Sequence, residues 1–298
     1  MRISLRWLNN YVSQSLPIEK LAHELTMVGL EVESIERPGA RFDRFVVGHV
    51  LSVEKHPNAD KLSICRVNVG QESLQIVCGA PNVAAGQSVA VGLSGAVVPK
   101  NQHDPNGKPF TLGQVKVRGV ESFGMICSAY ELDLGDDKNG IMLLEGNPVP
   151  GTPLSAHLGL DDTVMEVGIT PNRPDAMSHI GIAREVAAIT GKKLKLPAPT
   201  LKESKTIVGK RLKVRLEAAI DAPRYAARVI QGTKVVESPK WLQEALMAVG
   251  LRPINAIVDV TNYVLMEVGH PLHAFDYDRL AGGMIVVRTT RGGDKFVT

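Results

Sequence analysis

Between residues 252 and 276 the chain reads RPINAIVDVTNYVLMEVGHPLHAFD, a stretch rich in side chains that could do chemistry. His270, His273 and Asp276 stand three apart, a spacing that could set ligands along one helix face. Pro271 lies between the two histidines, and a proline there removes an amide donor and disrupts any regular helix beyond its first turn. No further nitrogen or sulfur ligand follows at a metal-like interval, and zinc needs three or four protein ligands, so no metal site is expected. A metal-free reading suits the segment better. Thr261, Asn262, His273 and the backbone around Pro271 offer a hydroxyl, an amide and an imidazole. Such groups can place a water and stabilise an oxyanion during ester hydrolysis. Taken alone, a polar cluster of this kind is more often a structural loop than a site.

A second set lies in the middle of the chain. HPNADKLSICRV at 56–67 puts a Pro-Asn turn and an Asx-type bend directly before a strand. VRGVESFGMICSAYEL at 117–132 places Arg118, Ser122 and Ser128 around a strand broken by glycine. On composition alone these are loops that shape a barrel, since a fold does not fix a function. Cys65, Cys78 and Cys127 form no CxxC pair and leave one over, which argues against a disulfide framework or a zinc ribbon and for a reducing compartment.

These residues need elements to hold them. Valine runs and alternating patches recur through 41–150, with Leu74, Ile76 and Cys78 in alternation and Val89, Val91 and Leu93 likewise. Short strands at this spacing with Gly and Asn turns predict a small antiparallel barrel or sandwich, of the size of a five-stranded OB-type barrel. IEKLAHELTMVG at 18–29 sets Leu21, Leu25 and Val28 at helical spacing and ends in Gly29. One such helix cannot bury its own face, and SHIGIAREVAAITG at 178–191 supplies a partner through Ile182, Val186 and Ile189. Residues 1–40 and 152–195 are therefore expected to be halves of one small split α/β platform, interrupted by the barrel of 41–150.

A proline- and lysine-rich stretch marks a linker at 196–206. Beyond it, in 207–298, KVRLEA and RYAARVIQG are expected as strands. Ser238 is expected to cap a helix with Pro239 in its first turn, Leu242, Leu246 and Val249 on its buried face, and Gly250 at its end. GGMIVVRTTRGGDKFVT reads as two strands of an unfinished hairpin.

The length of 298 residues suits two or three domains rather than one core. Hydrophobic residues at 44% and charged residues at 22% exclude a disordered chain. No apolar run reaches the roughly 18 residues of a membrane span. The opening MRISLRWLNNYVSQ carries Arg6, Asn9 and Asn10 where a signal peptide needs an apolar block, so a cytoplasmic protein without membrane contact is expected. The formal net charge of +3 is unevenly spread. Residues 41–150 hold 10 Lys and Arg against 11 Asp and Glu, while residues 199–298 hold 15 against 10. Any anionic partner of the barrel must be bound without a basic composition.

HPNADKL, IVCGAPNV and VRGVESFGMICS resemble the tRNA-binding OB module attached to several aminoacyl-tRNA synthetases and their cofactors. SPKWLQEALMAVGLRPINAIVDVTNYVLMEVGHPLHAFDYDRL is similar to the editing domain of the bacterial phenylalanyl-tRNA synthetase beta chain. MRISLRWLNNYV and MEVGITPNRPDAMSHIGIAREVAAITG recur in the same order in that family, so the resemblance spans essentially all of the chain. It implies an α+β multidomain protein whose residues 207–298 are the first part of an α+β editing domain. It implies tRNA contacts at Lys55, Lys61, Asn82, Arg118, Ser122 and Ser128, weak ones given the local charge balance.

It further implies that His273 and Thr261 help place a water that hydrolyses tRNA mischarged with tyrosine, with Asn262, Pro271 and Arg252 binding substrate. A second site that hydrogen-bonds the tyrosine hydroxyl can select strongly where an apolar synthetic site cannot. The implied partners are tRNA(Phe) and a separate catalytic alpha chain in an (αβ)2 assembly. ATP and Mg2+ serve the whole enzyme, and no cofactor is expected in this chain. Two positions depart from the family pattern: Ala256 stands where a second asparagine is common, and His270 where glutamine is usual. The family's editing domain continues past Thr298 and supplies an acidic residue that reads the tyrosine hydroxyl, so this chain alone is expected to hydrolyse Tyr-tRNA poorly. A free-standing tRNA-binding protein without catalysis is the alternative reading, and a scaffold for the alpha chain a third.

Overall fold

The structure is a computed structural model that describes residues 1–102, 104 and 107–295. Along the chain, β1 (Arg2–Ser4), α1 (Leu5–Leu8), α2 (Ile18–Met27) and β2 (Val32–Glu36) come first. Strands β3 (Phe45–Lys55), β4 (Ser63–Asn68), β5 (Ser73–Cys78), β6 (Ser88–Leu93) and β7 (Val97–Val98) follow. Next are β8 (Phe110–Thr111), β9 (Val115–Val117), β10 (Val120–Ser122), β11 (Gly124–Ile126), α3 (Leu154–His157) and β12 (Val164–Val167). The last elements are α4 (His179–Thr190), β13 (Lys213–Leu216), α5 (Lys240–Ala248), α6 (Ala256–Val268) and β14 (Met284–Val287). Two compact units result: Ile35–Val164, and Met1–Ser34 together with Met165–Thr298.

The first unit is built on a five-stranded sheet in the order β11-β6-β3-β4-β5, every neighbour antiparallel. It is nearly closed. Phe123, just before β11, donates its amide to the Gln75 carbonyl on β5 at 2.9 Å, which brings the two edges of the sheet together, as in an OB-type barrel. Val50, Cys65, Val67, Ile76, Val89 and Val91 fill one side of the sheet. Phe45, Val47 and Ala90 point the other way, into a second core with Val98, Leu132 and Leu154. β6 is thus covered on both faces, which is why SVAVGL is a continuous small-apolar run rather than a polar alternation. Gly48 is needed because a Cβ there would sit 2.8 Å from a Val67 methyl group. A bulge between Val50 and Ser52 breaks the register of β3, and Leu51 is left exposed there.

The second unit carries the three-stranded sheet β1-β12-β2; α1 packs on β1, and α1 and α2 both pack against α4. Ser178 caps α4 by accepting the Gly181 amide at 2.9 Å, and Gly191 ends it in the left-handed region at φ 65°. α2 ends at Met27, with Gly29 at φ 88°. Leu21, Leu25, Ile182 and Val186 are buried as their spacing predicts.

Past residue 206 the structure departs from the expected elements. Arg224–Gly232 forms no strand, because no neighbouring strand meets it and its side chains stay largely exposed. Ser238 does not cap α5. Pro239 occupies that position in extended geometry, and the Ser238 hydroxyl turns to Asp259 instead. No hairpin follows Gly283 among the described residues. β14 instead runs parallel to β13, pairing Lys213 with Met284 through Leu216 with Val287, while Phe296–Thr298, where the second strand would end, lies outside the described residues.

Candidate functional site

Lys55 closes β3, and the turn from His56 to Leu62 folds tightly back through the His56 amide on the Leu62 carbonyl at 3.1 Å. His56 organises this turn. Its Nδ1 accepts the Asn58 amide at 3.1 Å, which leaves Nε2–H to donate to the Val117 carbonyl at 3.1 Å. Asn58 adds a side-chain bond to the Arg118 carbonyl, also at 3.1 Å. The two bonds hold the turn against the β9–β10 hairpin. Arg118 and Gly119 form the tip of that hairpin with φ of 49° and 91°, the paired positive values of a tight two-residue hairpin turn. Lys55, Lys61 and Arg118 are all exposed and lie on these two adjoined loops.

The other three barrel residues are committed to the barrel itself. Asn82 donates to the Ile141 carbonyl at 3.0 Å and accepts the Ile141 amide at 2.9 Å, pinning the 140s segment. Ser122, 3% exposed, accepts the Val77 amide and donates to the Gly124 carbonyl, both at 3.1 Å. Ser128 donates to Glu131 at 2.8 Å, and that carboxylate also accepts the Ser128 amide. These hydroxyls close and shape the barrel. Cys65 and Cys78 are buried in the same core; the neighbouring Cys78 sulfur and then burial push the Cys65 thiol up.

The segment 252–276 divides between a helix and a loop. Asn255 starts α6 by accepting the Ile257 and Val258 amides at 3.1 and 3.2 Å, and Gly269 ends it at φ 77°. Ala256, at the first helical position, donates its amide to the Val236 carbonyl at 2.9 Å. Thr261 and Asn262 ride on α6, and the Thr261 hydroxyl donates to the Val258 carbonyl at 2.7 Å. Arg252 precedes the helix and is exposed. Pro271 and His273 lie beyond its end, in a stretch exposed at every position from Gly269 to Arg279. His273 meets Phe275 at a ring distance of 4.4 Å, and His270 is exposed. The structure therefore puts two of the polar groups on a half-buried helix and two on the loop that follows.

What positions α6 is a buried network that spacing alone does not disclose. His179, fully buried, accepts the Ser4 amide on Nε2 at 3.2 Å and donates from Nδ1 to the Met266 carbonyl at 2.9 Å. Trp7 stacks between His179, at 4.0 Å, and Tyr263, at 4.3 Å. Tyr11 donates to Glu267 at 2.6 Å and accepts from the Trp7 indole at 2.9 Å. Burial holds His179 neutral, pushing it down to about 4, and burial with the Glu267 carboxylate pushes Tyr11 well up. Asp259, also fully buried, accepts from Ser238 at 2.5 Å and from the Ile254 amide at 2.9 Å, tying the approach to α5 onto α6. The sequence signal for α6 was its brackets, Asn255 before a run of apolar residues and Gly269 after it. Its valines and isoleucines mask the helix.

Among the described residues no group of three His, Cys, Asp or Glu side chains could hold a metal ion. Among them, too, no helix is long and apolar enough to cross a membrane.

Comparison with known proteins adds two family models. One, described as "Putative tRNA binding domain", matches residues 45–153, and the other, "B3/4 domain", matches residues 221–298. Curated relatives align with the whole chain. The phenylalanine–tRNA ligase beta subunit of Anaeromyxobacter dehalogenans (strain 2CP-C) is 50% identical over 299 residues, covering 100% of this chain and 36% of the relative. Those of Geobacter metallireducens and Nitratidesulfovibrio vulgaris are each 48% identical, again over 100% of this chain and 36% of the relative. The chain thus spans about a third of the length of the curated relatives it matches.

Proposed function

We propose that this chain, whose homologues along its full length are phenylalanine–tRNA ligase beta subunits, is the N-terminal portion of such a subunit and contributes tRNA binding and hydrolytic editing of Tyr-tRNA(Phe). The observation that carries the reading is 50% identity across the whole chain, with the tRNA-binding and B3/4 matches falling on separate segments in order. The proposed layout is a split platform of 1–40 and 152–195, an OB-type barrel of 41–150, a linker of 196–206, and the first part of an editing domain in 207–298. ATP and Mg2+ are assigned to the aminoacylation step on a catalytic alpha chain, with which this chain assembles as (αβ)2 in the cytoplasm. The described residues here offer no cluster fit for a metal ion, and the editing chemistry uses this chain's own polar groups.

On the barrel, Lys55, Lys61 and Arg118 are the contacts to the tRNA backbone, held in one place by the His56–Val117 and Asn58–Arg118 bonds. Asn82, Ser122 and Ser128 support that surface through the barrel itself.

For editing, a water placed by His273 and Thr261 attacks the ester carbonyl that joins tyrosine to the terminal ribose. The carbonyl oxygen takes up negative charge, the ester C–O bond to the ribose breaks, and the proton lost by the water ends on the ribose oxygen. Free tyrosine and intact tRNA result. His273 serves as the proton carrier, and Asn262, Pro271 and Arg252 hold the substrate. In this chain His273 stands open to solvent, one loop beyond the helix that carries Thr261.

The test is His273→Ala in the full-length ligase. Mischarged Tyr-tRNA(Phe) should accumulate while tRNA affinity stays within about twofold. Unchanged mischarging would favour a tRNA-binding role without catalysis.

A further inference from the structure

The surplus positive charge of this chain does not lie on the barrel that matches a tRNA-binding family. Residues 41–150 carry 10 Lys and Arg against 11 Asp and Glu. Residues 202–215, in contrast, carry six Lys and Arg against the single acid Glu203. Every position from 201 to 211 is exposed, as are Lys213 and Arg215. Glu203 is engaged by Arg228 at 2.9 Å, and Arg215 by Glu217 at 2.8 Å. Lys202, Lys205, Lys210, Arg211 and Lys213 have no acidic partner among the described residues.

The core of this strip is held in place. Leu212 is buried at 8% exposure between Arg211 and Lys213. The Arg211 carbonyl accepts the Tyr277 hydroxyl at 2.9 Å, and β13 pairs in register with β14. Lys213 and Arg215 fall on one face of β13, about 6.6 Å apart at the rise of an extended strand. That interval is of the order of the step between successive phosphates on a nucleic acid strand. Arg215 is paired with Glu217, but Lys210, Arg211 and Lys213 have no acidic partner among the described residues, and such cations in water gain by displacing the counterions condensed on a polyanion.

We propose that Lys202–Arg215, centred on Lys210, Arg211 and Lys213, is a second RNA-backbone contact surface, distinct from the barrel loops. The proposal rests on the reading that this chain binds tRNA, and extends it. The barrel loops contribute placement, and the strip contributes the larger share of the electrostatic attraction that the barrel's balanced charge does not supply.

The experiment measures binding of a tRNA(Phe) transcript to the 298-residue chain by fluorescence anisotropy, across a KCl series from about 50 to 200 mM. Three proteins are compared: the unaltered chain, the triple variant Lys210→Gln, Arg211→Gln, Lys213→Gln, and the barrel variant Lys55→Gln, Lys61→Gln, Arg118→Gln. Circular dichroism confirms that each is folded. The strip variant should bind about tenfold or more weakly at low salt. Its slope of log affinity against log salt should fall in magnitude by about 2, from three lost phosphate contacts at about 0.7–0.9 each. A strip variant that keeps both affinity and slope while the barrel variant loses binding would overturn the proposal and leave the tRNA reading standing. An unaltered chain that does not bind the transcript would overturn both. Strip-dependent binding to phosphatidylserine vesicles, with tRNA binding indifferent to the strip, would also overturn it in favour of a membrane surface.

Discussion

The Ser122 hydroxyl accepts the Val77 amide from β5 and donates to the Gly124 carbonyl, at the seam where the barrel closes. Replacing it by alanine leaves the part-buried Val77 donor without this partner, a loss of about 1 kcal/mol. Urea denaturation of Ser122→Ala should show it as a lower midpoint at an unchanged slope. His179 makes a pH-dependent contribution of known sign. Its folded value is pushed down to about 4 by burial, against 6.5 for a free imidazole. The unfolded chain therefore binds the extra proton first as pH falls. Stability from this residue is fully present above about pH 6.5 and is lost progressively toward pH 4, by on the order of 3 kcal/mol. His179→Gln should flatten that limb of the stability–pH curve, whatever its effect at pH 7. An unaltered acid limb would show that other groups set it.

Helix α6 illustrates how an element can be specified from both its ends and its surroundings. Asn255 satisfies two of its first amides, and Asn255→Ala should cost about 1 kcal/mol in chemical denaturation. The larger restraint comes from outside. Trp7 stacks on Tyr263, His179 holds the Met266 carbonyl, and Tyr11 holds Glu267. Trp7→Leu should therefore speed hydrogen exchange along α6 while leaving exchange in β3, β4 and β6 unchanged. Equal acceleration in both would show that the aromatic stack supports the whole chain rather than this helix. The helices at 18–27 and 179–190 were legible because their apolar spacing and glycine stops agree. α6 was not, because Ile257, Val258, Val260 and Val264 are β-branched and read equally well as strand. The same ambiguity runs the other way at RYAARVIQG, whose composition suits a strand that no neighbour is present to pair.

At the scale of the whole molecule, residues 41–150 are near charge balance while residues 202–215 hold six Lys and Arg against one acid. The proposed assembly predicts that the protein purified from its source cells has a native mass well above twice 32.1 kDa, with a catalytic chain alongside it. A native mass of 32.1 kDa with no partner would instead favour a free-standing tRNA-binding protein. The full-length ligase should also edit far faster than this chain alone, since His273 is open to solvent here. Equal rates of tyrosine-selective deacylation would show that the exposed loop is already competent.

Local pattern was enough for the antiparallel strands of the five-stranded sheet and for the helices at 18–27 and 179–190. Alternation and capping depend on neighbours in sequence, and those are visible without a fold. The tertiary structure decided which polar residues are available. Ser122 and Ser128 resemble Lys61 and Arg118 as members of the same motifs, yet the first two are buried and bonded while the latter two are exposed. It also decided that Trp7, Tyr11 and His179 hold α6 from as far as 256 residues away. Contacts of that separation depend on how elements pack, and no periodicity in the chain encodes them.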